Sequence, residues 1–136
     1  MKTIQILPLL GLLLVSLACS SDDDADDTET PSTQNLLTTG IWYQESKSPG
    51  GFSDCEKNSS VAFATDGTVR IESFEEEAGS CEAQTPETAS YTLNGATLVF
   101  TAGPETFSAT INSISSEMLS VTDDEGATVV FDRTQG

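Results

Sequence analysis

Ala89-Ser90-Tyr91-Thr92-Leu93-Asn94-Gly95-Ala96-Thr97-Leu98-Val99-Phe100-Thr101 alternates apolar and hydroxyl-bearing side chains on both sides of a single Asn-Gly pair. Side chains of a strand point to opposite faces in turn, so Tyr91 and Leu93 share one face before the pair, and Leu98 and Phe100 share one face after it. Asn-Gly between two such runs predicts a tight antiparallel hairpin with both turn residues at positive φ.

Working outward, the same period of two recurs. It predicts strands over Thr38 to Glu45, Ser59 to Thr65, Thr68 to Phe74, Ala89 to Leu93, Thr97 to Thr101, Thr106 to Ile111, Met118 to Thr122 and Thr128 to Asp132. Asp66-Gly67 predicts a second tight hairpin, and Asp123-Asp124-Glu125-Gly126 a looser one. The inward set runs from Val61 and Phe63 through Val69, Ile71, Phe107, Ala109, Ile111, Leu119 and Val121 to Val129 and Phe131. The opposite set is mostly Thr, Ser, Asp, Glu and Asn. One dry and one wet face carried through hairpin-linked neighbours predict an all-β fold, an antiparallel meander of about eight strands closed on itself as a small up-and-down barrel. No ten-residue stretch keeps a helical period, although Glu75 to Ala78 could form one turn.

The N-terminus has a different character. Met1-Lys2 is followed by Ile4 to Ala18, almost wholly apolar, which predicts a signal peptide over residues 1–18. Fifteen residues at ~1.5 Å each fall short of a hydrocarbon core of about 30 Å, so a retained transmembrane helix is not expected. Ser16-Leu17-Ala18-Cys19 resembles a bacterial lipoprotein signal, in which the cysteine is acylated and becomes the new N-terminus. Ordinary secretory cleavage at the same bond would instead leave Cys19 as the first residue of a secreted tail. Cys19 is the odd thiol of three, and Cys19-Ser20-Ser21-Asp22-Asp23-Asp24 resembles the export signal that takes some lipoproteins to the outer face of the outer membrane. The expectation is therefore a diacylated, surface-exposed lipoprotein held in the membrane through Cys19. Residues 19–35, with six carboxylates and no base, are expected to be a disordered tether, because they cannot bury enough apolar area to offset their ordering entropy. The barrel domain is expected over 36–136.

Composition removes several function classes. With 5 Lys+Arg against 22 Asp+Glu the chain carries −17, so it lacks the basic surface that displaces counterions from nucleic acid. It has no His, which removes His-assisted nucleophilic catalysis and His-ligated zinc. No catalytic residue, metal site or cofactor motif is identified. Glu75-Glu76-Glu77, or Glu72 with Glu82, could supply a carboxylate pair, but a glycosidase needs two carboxylates held across a cleft, and loop carboxylates are usually solvated. Cys55 and Cys81 lie in the two least strand-like stretches of an exported chain. Pairing them closes a loop of roughly 27 residues and is worth about 3 to 4 kcal/mol in the chain-entropy estimate.

With its strands placed, the domain resembles the bacterial lipocalin-like lipoprotein domains. The resemblance is carried by Leu37-Thr38-Thr39-Gly40-Ile41-Trp42, by Cys55 before Ser60 to Thr68, by Cys81 before Ala89 to Leu98, by Ile111 to Ser116 with Met118-Leu119, and by Phe131-Asp132-Arg133. It implies that Gly40 and Trp42 open the first strand and that Arg133 packs its guanidinium over Trp42 to close the barrel base. It also implies a ligand carrier, although only about 100 residues remain for eight strands, and an interior of that size is filled by side chains or holds one small ligand. Two functions follow. One is a monomeric binding module for a small apolar or amphipathic ligand, with the ligand residues unknown. The other is a filled barrel whose loops Ser46 to Asn58 and Glu75 to Thr88 bind a protein or glycan. The domain holds 16 carboxylates against four cations, so a ligand is expected to be uncharged or cationic.

Overall fold

The computed structural model describes residues 30–136. The expected signal peptide, Cys19 and the tether as far as residue 29 lie outside the described residues.

The first element is a five-residue helix, α1 (Thr33–Leu37), capped by Ser32, whose hydroxyl accepts from the Asn35 N–H. It takes in Thr33, Gln34 and Asn35, which the composition had assigned to the tether. The strands follow as β1 (Trp42–Ser48), β2 (Ser60–Phe63), β3 (Thr68–Glu72), β4 (Phe74–Glu77), β5 (Ser80–Ala83), β6 (Glu87–Asn94), β7 (Thr97–Ala102), β8 (Glu105–Ile114), β9 (Leu119–Asp123) and β10 (Thr128–Asp132). All eight expected strands form, and they close into an antiparallel barrel in the order β1-β10-β9-β8-β7-β6-β3-β2. Closure runs through β1, which pairs with β10 from Tyr43↔Asp132 to Ser48↔Thr128 but with β2 only through Trp42↔Val61 and Tyr43↔Ser60.

Three local expectations are corrected. The first strand starts at Trp42, not Thr38, because Gly40 at φ +70 turns the chain out of α1 before pairing begins. Glu75 to Ala78 is not a helical turn: Phe74–Glu77 pairs with Ser80–Ala83 as a separate two-stranded hairpin, with Ala78 (φ 51) and Gly79 (φ 82) both left-handed at its tip. The glycine turns also differ in type. Asn94 is the last strand residue, and Gly95-Ala96 forms the turn with only Gly95 at positive φ, the type II′ pattern. At the other, Gly67 alone is left-handed, while Asp66 accepts from the Thr68 N–H and hydroxyl and caps the loop.

The alternation holds. Leu37, Trp42, Val69, Leu98 and Leu119 are essentially inaccessible, and Phe63, Ala89, Tyr91, Ile111 and Val121 complete the buried core. Each large side chain of that kind contributes about 1.5–3 kcal/mol of burial. Phe107 departs from the buried set: it lies on the inward face yet is 42% exposed, because it sits near the free end of the long strand β8.

Candidate functional site

The barrel has one stapled end. Trp42, wholly buried at the start of β1, donates its indole Nε1–H to the Leu37 carbonyl at 3.0 Å. Arg133, just beyond β10, lies with its guanidinium carbon 3.3 Å from the centre of the Trp42 ring. The same guanidinium donates from Nε to the Ser116 carbonyl (3.1 Å), from Nη1 to the Ile41 carbonyl (3.1 Å) and from Nη2 to the Leu36 carbonyl (3.2 Å). One side chain thus ties the end of α1, the lead into β1 and the β8–β9 turn to the end of β10. Partial burial lowers the Arg133 pKa from its ordinary value, and an arginine so shifted stays charged at neutral pH. Gly40 belongs to this site through its backbone: a Cβ there would meet Arg133 Nη1 at 3.5 Å, an ordinary contact, so the positive φ and not lack of space calls for glycine. On the far side of the base the Tyr91 hydroxyl donates to the Ala64 carbonyl at 2.7 Å and accepts from Gln34 Nε2 at 3.0 Å.

Above this floor the interior is hollow. A cavity of about 160 Å³ is lined by four valines, four phenylalanines, two leucines, Ile71 and Ala109, all hydrocarbon side chains. Its aromatic lining is ordered from solvent inward. Phe107 stacks on Phe100 with ring centres 5.0 Å apart and planes at 16°, Phe100 tilts against Phe63 at 6.1 Å, and Phe63 meets Tyr91 edge-on at 5.0 Å. Buried Phe63 at one end and half-exposed Phe107 at the other place the mouth at the end opposite Trp42. The interior is therefore neither filled throughout nor a wide chamber.

Charge at the mouth is acidic. Cross-strand partners share a face, so the inward register at the rim can be read from the pairing: Glu87 opposite Ile71, Asp123 opposite Ala109 and Lys47 opposite Val129, with Glu105 two residues from Phe107 on β8. Three carboxylates thus stand against one amine, a field that disfavours anions. One Asp123 oxygen is already committed, accepting from the Glu125 and Ala127 N–H groups of the β9–β10 turn. Arg70 faces solvent, as its alternation with Val69 and Ile71 requires, and pairs with Glu72 at 2.8 Å.

Cys55 and Cys81 are bonded, which ties the β4–β5 hairpin to the 3-10 turn Glu56–Asn58 that precedes β2. Glu75 and Glu82 are direct cross-strand partners on that hairpin, both exposed, with Glu76 and Glu77 beside them. Glu72, the other carboxylate weighed for catalysis, is bound up with Arg70. Among the described residues no three His, Cys, Asp or Glu side chains converge to hold a metal ion. Of the residues singled out from sequence, Gly40, Trp42 and Arg133 come together at the base, Cys55 and Cys81 at the hairpin, and Cys19 lies outside the described residues. The three carbonyl acceptors of Arg133 and the Gln34 amide were missed. Carbonyls carry no residue-specific signal, and Gln34 sits in a stretch whose composition reads as tail.

Residues 38–121 match the family model of the lipocalin-like domain. The chain belongs to this lipocalin-like family. A lipocalin-like protein from Bacteroides uniformis ATCC 8492, known from a crystal structure at 1.79 Å resolution, superposes with a TM-score of 0.57 at 17% identity, covering 73% of this chain and 99% of that one. At that identity the likeness is one of fold. No curated protein matches the sequence. In this lipocalin-like barrel the Gly-x-Trp and terminal Arg form the closed floor, and the cavity stands between that floor and the Phe107 rim.

Proposed function

We propose that this lipocalin-like protein is a non-catalytic binding module that holds one small, apolar or amphipathic, uncharged or cationic ligand inside its barrel. The observation that carries the reading is the hydrocarbon-lined cavity open beside Phe107. Concave apolar sites are where proteins take small molecules. The acidic rim supports an uncharged or cationic ligand over a free fatty acid anion. The solvated positions of Glu75, Glu82 and Glu72 support a non-catalytic role, since none faces a cleft. Anchoring belongs to the same proposal: the apolar run Ile4 to Ala18, the odd Cys19 and the Ser20 to Asp24 export-like sequence support a diacylated protein on the outer face of the outer membrane.

The binding half is tested by screening uncharged apolar compounds and dyes against the exported domain, following the melting temperature and calorimetric heat. Saturable binding that raises the melting temperature is expected, because a ligand that binds only the folded state stabilises it by mass action. A screen with no hit would move the role to the loops around Cys55 and Cys81. The anchoring half is tested by intact mass and detergent partitioning of the native protein. A mass increase at Cys19 with partition into detergent is expected, and an unmodified Cys19 in the aqueous phase refutes it.

A further inference from the structure

We propose that the cavity is a single-ring site, taking one uncharged six-membered aromatic ring with small substituents and excluding long-chain lipids. The inference rests on the binding reading above and sharpens it to a ligand class.

Size sets the first limit. The cavity is about 160 Å³, whereas sites for drug-sized ligands are roughly 300–1,000 Å³. An apolar cavity of about 150 Å³ stays dry and holds benzene. The floor blocks extension downward, because Leu37 and Trp42 are packed there with no exposed surface and Arg133 stacks on Trp42 and bonds to the Leu36 carbonyl. A long chain therefore has nowhere to lie. A fatty acid anion also gains little by leaving its carboxylate at the mouth, where Glu87, Glu105 and Asp123 share the inward register with Lys47 as the one cation among the described residues.

Lining chemistry sets the second limit. Every lining side chain is hydrocarbon, so a polar group carried into the cavity would lose its hydrogen bonds to water without replacement. What the lining does offer is aromatic. Phe63, Phe100, Phe107 and Phe131 are a third of it, and the Phe107–Phe100–Phe63 series leads from solvent to the interior. Edge and face contacts between rings add to area burial, which makes an aromatic ring about 2- to 10-fold tighter than a saturated ring of the same size.

The test is a titration of the exported domain with toluene, methylcyclohexane, decanol and palmitate, read by methyl NMR at Val69, Leu98, Val121 and Val129. Toluene is expected to saturate with shifts centred on these lining methyls and to bind about 2- to 10-fold tighter than methylcyclohexane, while decanol and palmitate leave them unshifted. Decanol or palmitate binding as tightly as toluene, or methylcyclohexane matching it, overturns the single-ring proposal while the responding methyls leave the binding module standing. Lining methyls silent to all four compounds overturn both. Ala109→Phe, and Val129→Phe as a second filling variant checked for a cooperative melt, should abolish the toluene response. A response that survives in a folded filled variant places the site elsewhere and also overturns the proposal.

Discussion

Replacing Arg133 by Ala removes a cation over Trp42 at 3.3 Å and three hydrogen bonds to the carbonyls of Leu36, Ile41 and Ser116 at once. The stacked cation contributes about 0.5–2 kcal/mol. Hydrogen bonds from a charged donor contribute about 1.5–3 kcal/mol when desolvated, but the Ile41 and Ser116 interactions are exposed and those carbonyls can rehydrate, so only the part-buried Leu36 bond counts near that value. The contributions share one side chain and do not add fully, which puts the expected loss at about 2–4 kcal/mol. That is a large fraction of the roughly 5–15 kcal/mol by which a domain is stable, and about 10–25 °C in melting temperature at this size. The assay is urea unfolding followed by circular dichroism, with Trp42→Phe as the second arm of a double-mutant cycle. Trp42→Phe keeps an aromatic face and deletes the Nε1–H donated to Leu37. Because phenylalanine retains part of the stack under the guanidinium, only the difference between the two rings appears as coupling, expected to be above zero and below about 1 kcal/mol. Arg133→Lys should recover little, since a single ammonium cannot meet three divergent carbonyls as the guanidinium fork does. An Arg133→Ala variant within about 0.5 kcal/mol of wild type, a change typical of an unremarkable surface site, would refute the stapled base.

Other consequences are tested in the same way. The Cys55→Ser, Cys81→Ser double variant is expected to lose about 3–4 kcal/mol, and peptide mapping without reductant should recover the two segments as one species. Gly40→Ala should cost about 1–2 kcal/mol from left-handed strain with no clash, measured by urea unfolding. An Asp66→Asn variant tests a pH effect. Hydrogen bonds from Thr68 hold the Asp66 carboxyl below its ordinary pKa, so its contribution is present above that value and lost as pH falls through the depressed one. The stability gap to wild type in urea unfolding should therefore be open at pH 7 and close in strong acid.

The barrel was legible because its strands have one dry and one wet side. Val69-Arg70-Ile71 and Leu119-Ser120-Val121 announce their faces by alternation alone, and all eight expected strands formed. The β4–β5 hairpin was hidden for the same reason: it stands off the barrel with both faces largely wet, and Glu75-Glu76-Glu77 carries no period of two. Its Ala78-Gly79 tip also lacks the Asn or Asp that usually marks a turn with two left-handed residues. A five-residue helix such as α1 is too short to show a helical period, so its start inside the expected tether left no trace beyond the Ser32 cap. At the base, Trp42 and Arg133 could be matched through the family resemblance, but the carbonyls that Arg133 grips are backbone atoms. The cavity depends on volumes left over after twelve side chains pack, and no alternation pattern reports a remainder.

The most direct test of a ligand-holding barrel is a crystal of the domain pressurised with xenon. Xenon occupies dry apolar cavities of about this size. One strong peak is expected among Phe63, Leu98, Phe100 and Val121, with side chains around it unmoved. Density for a side chain or ordered water there, with no xenon in the barrel, would contradict it.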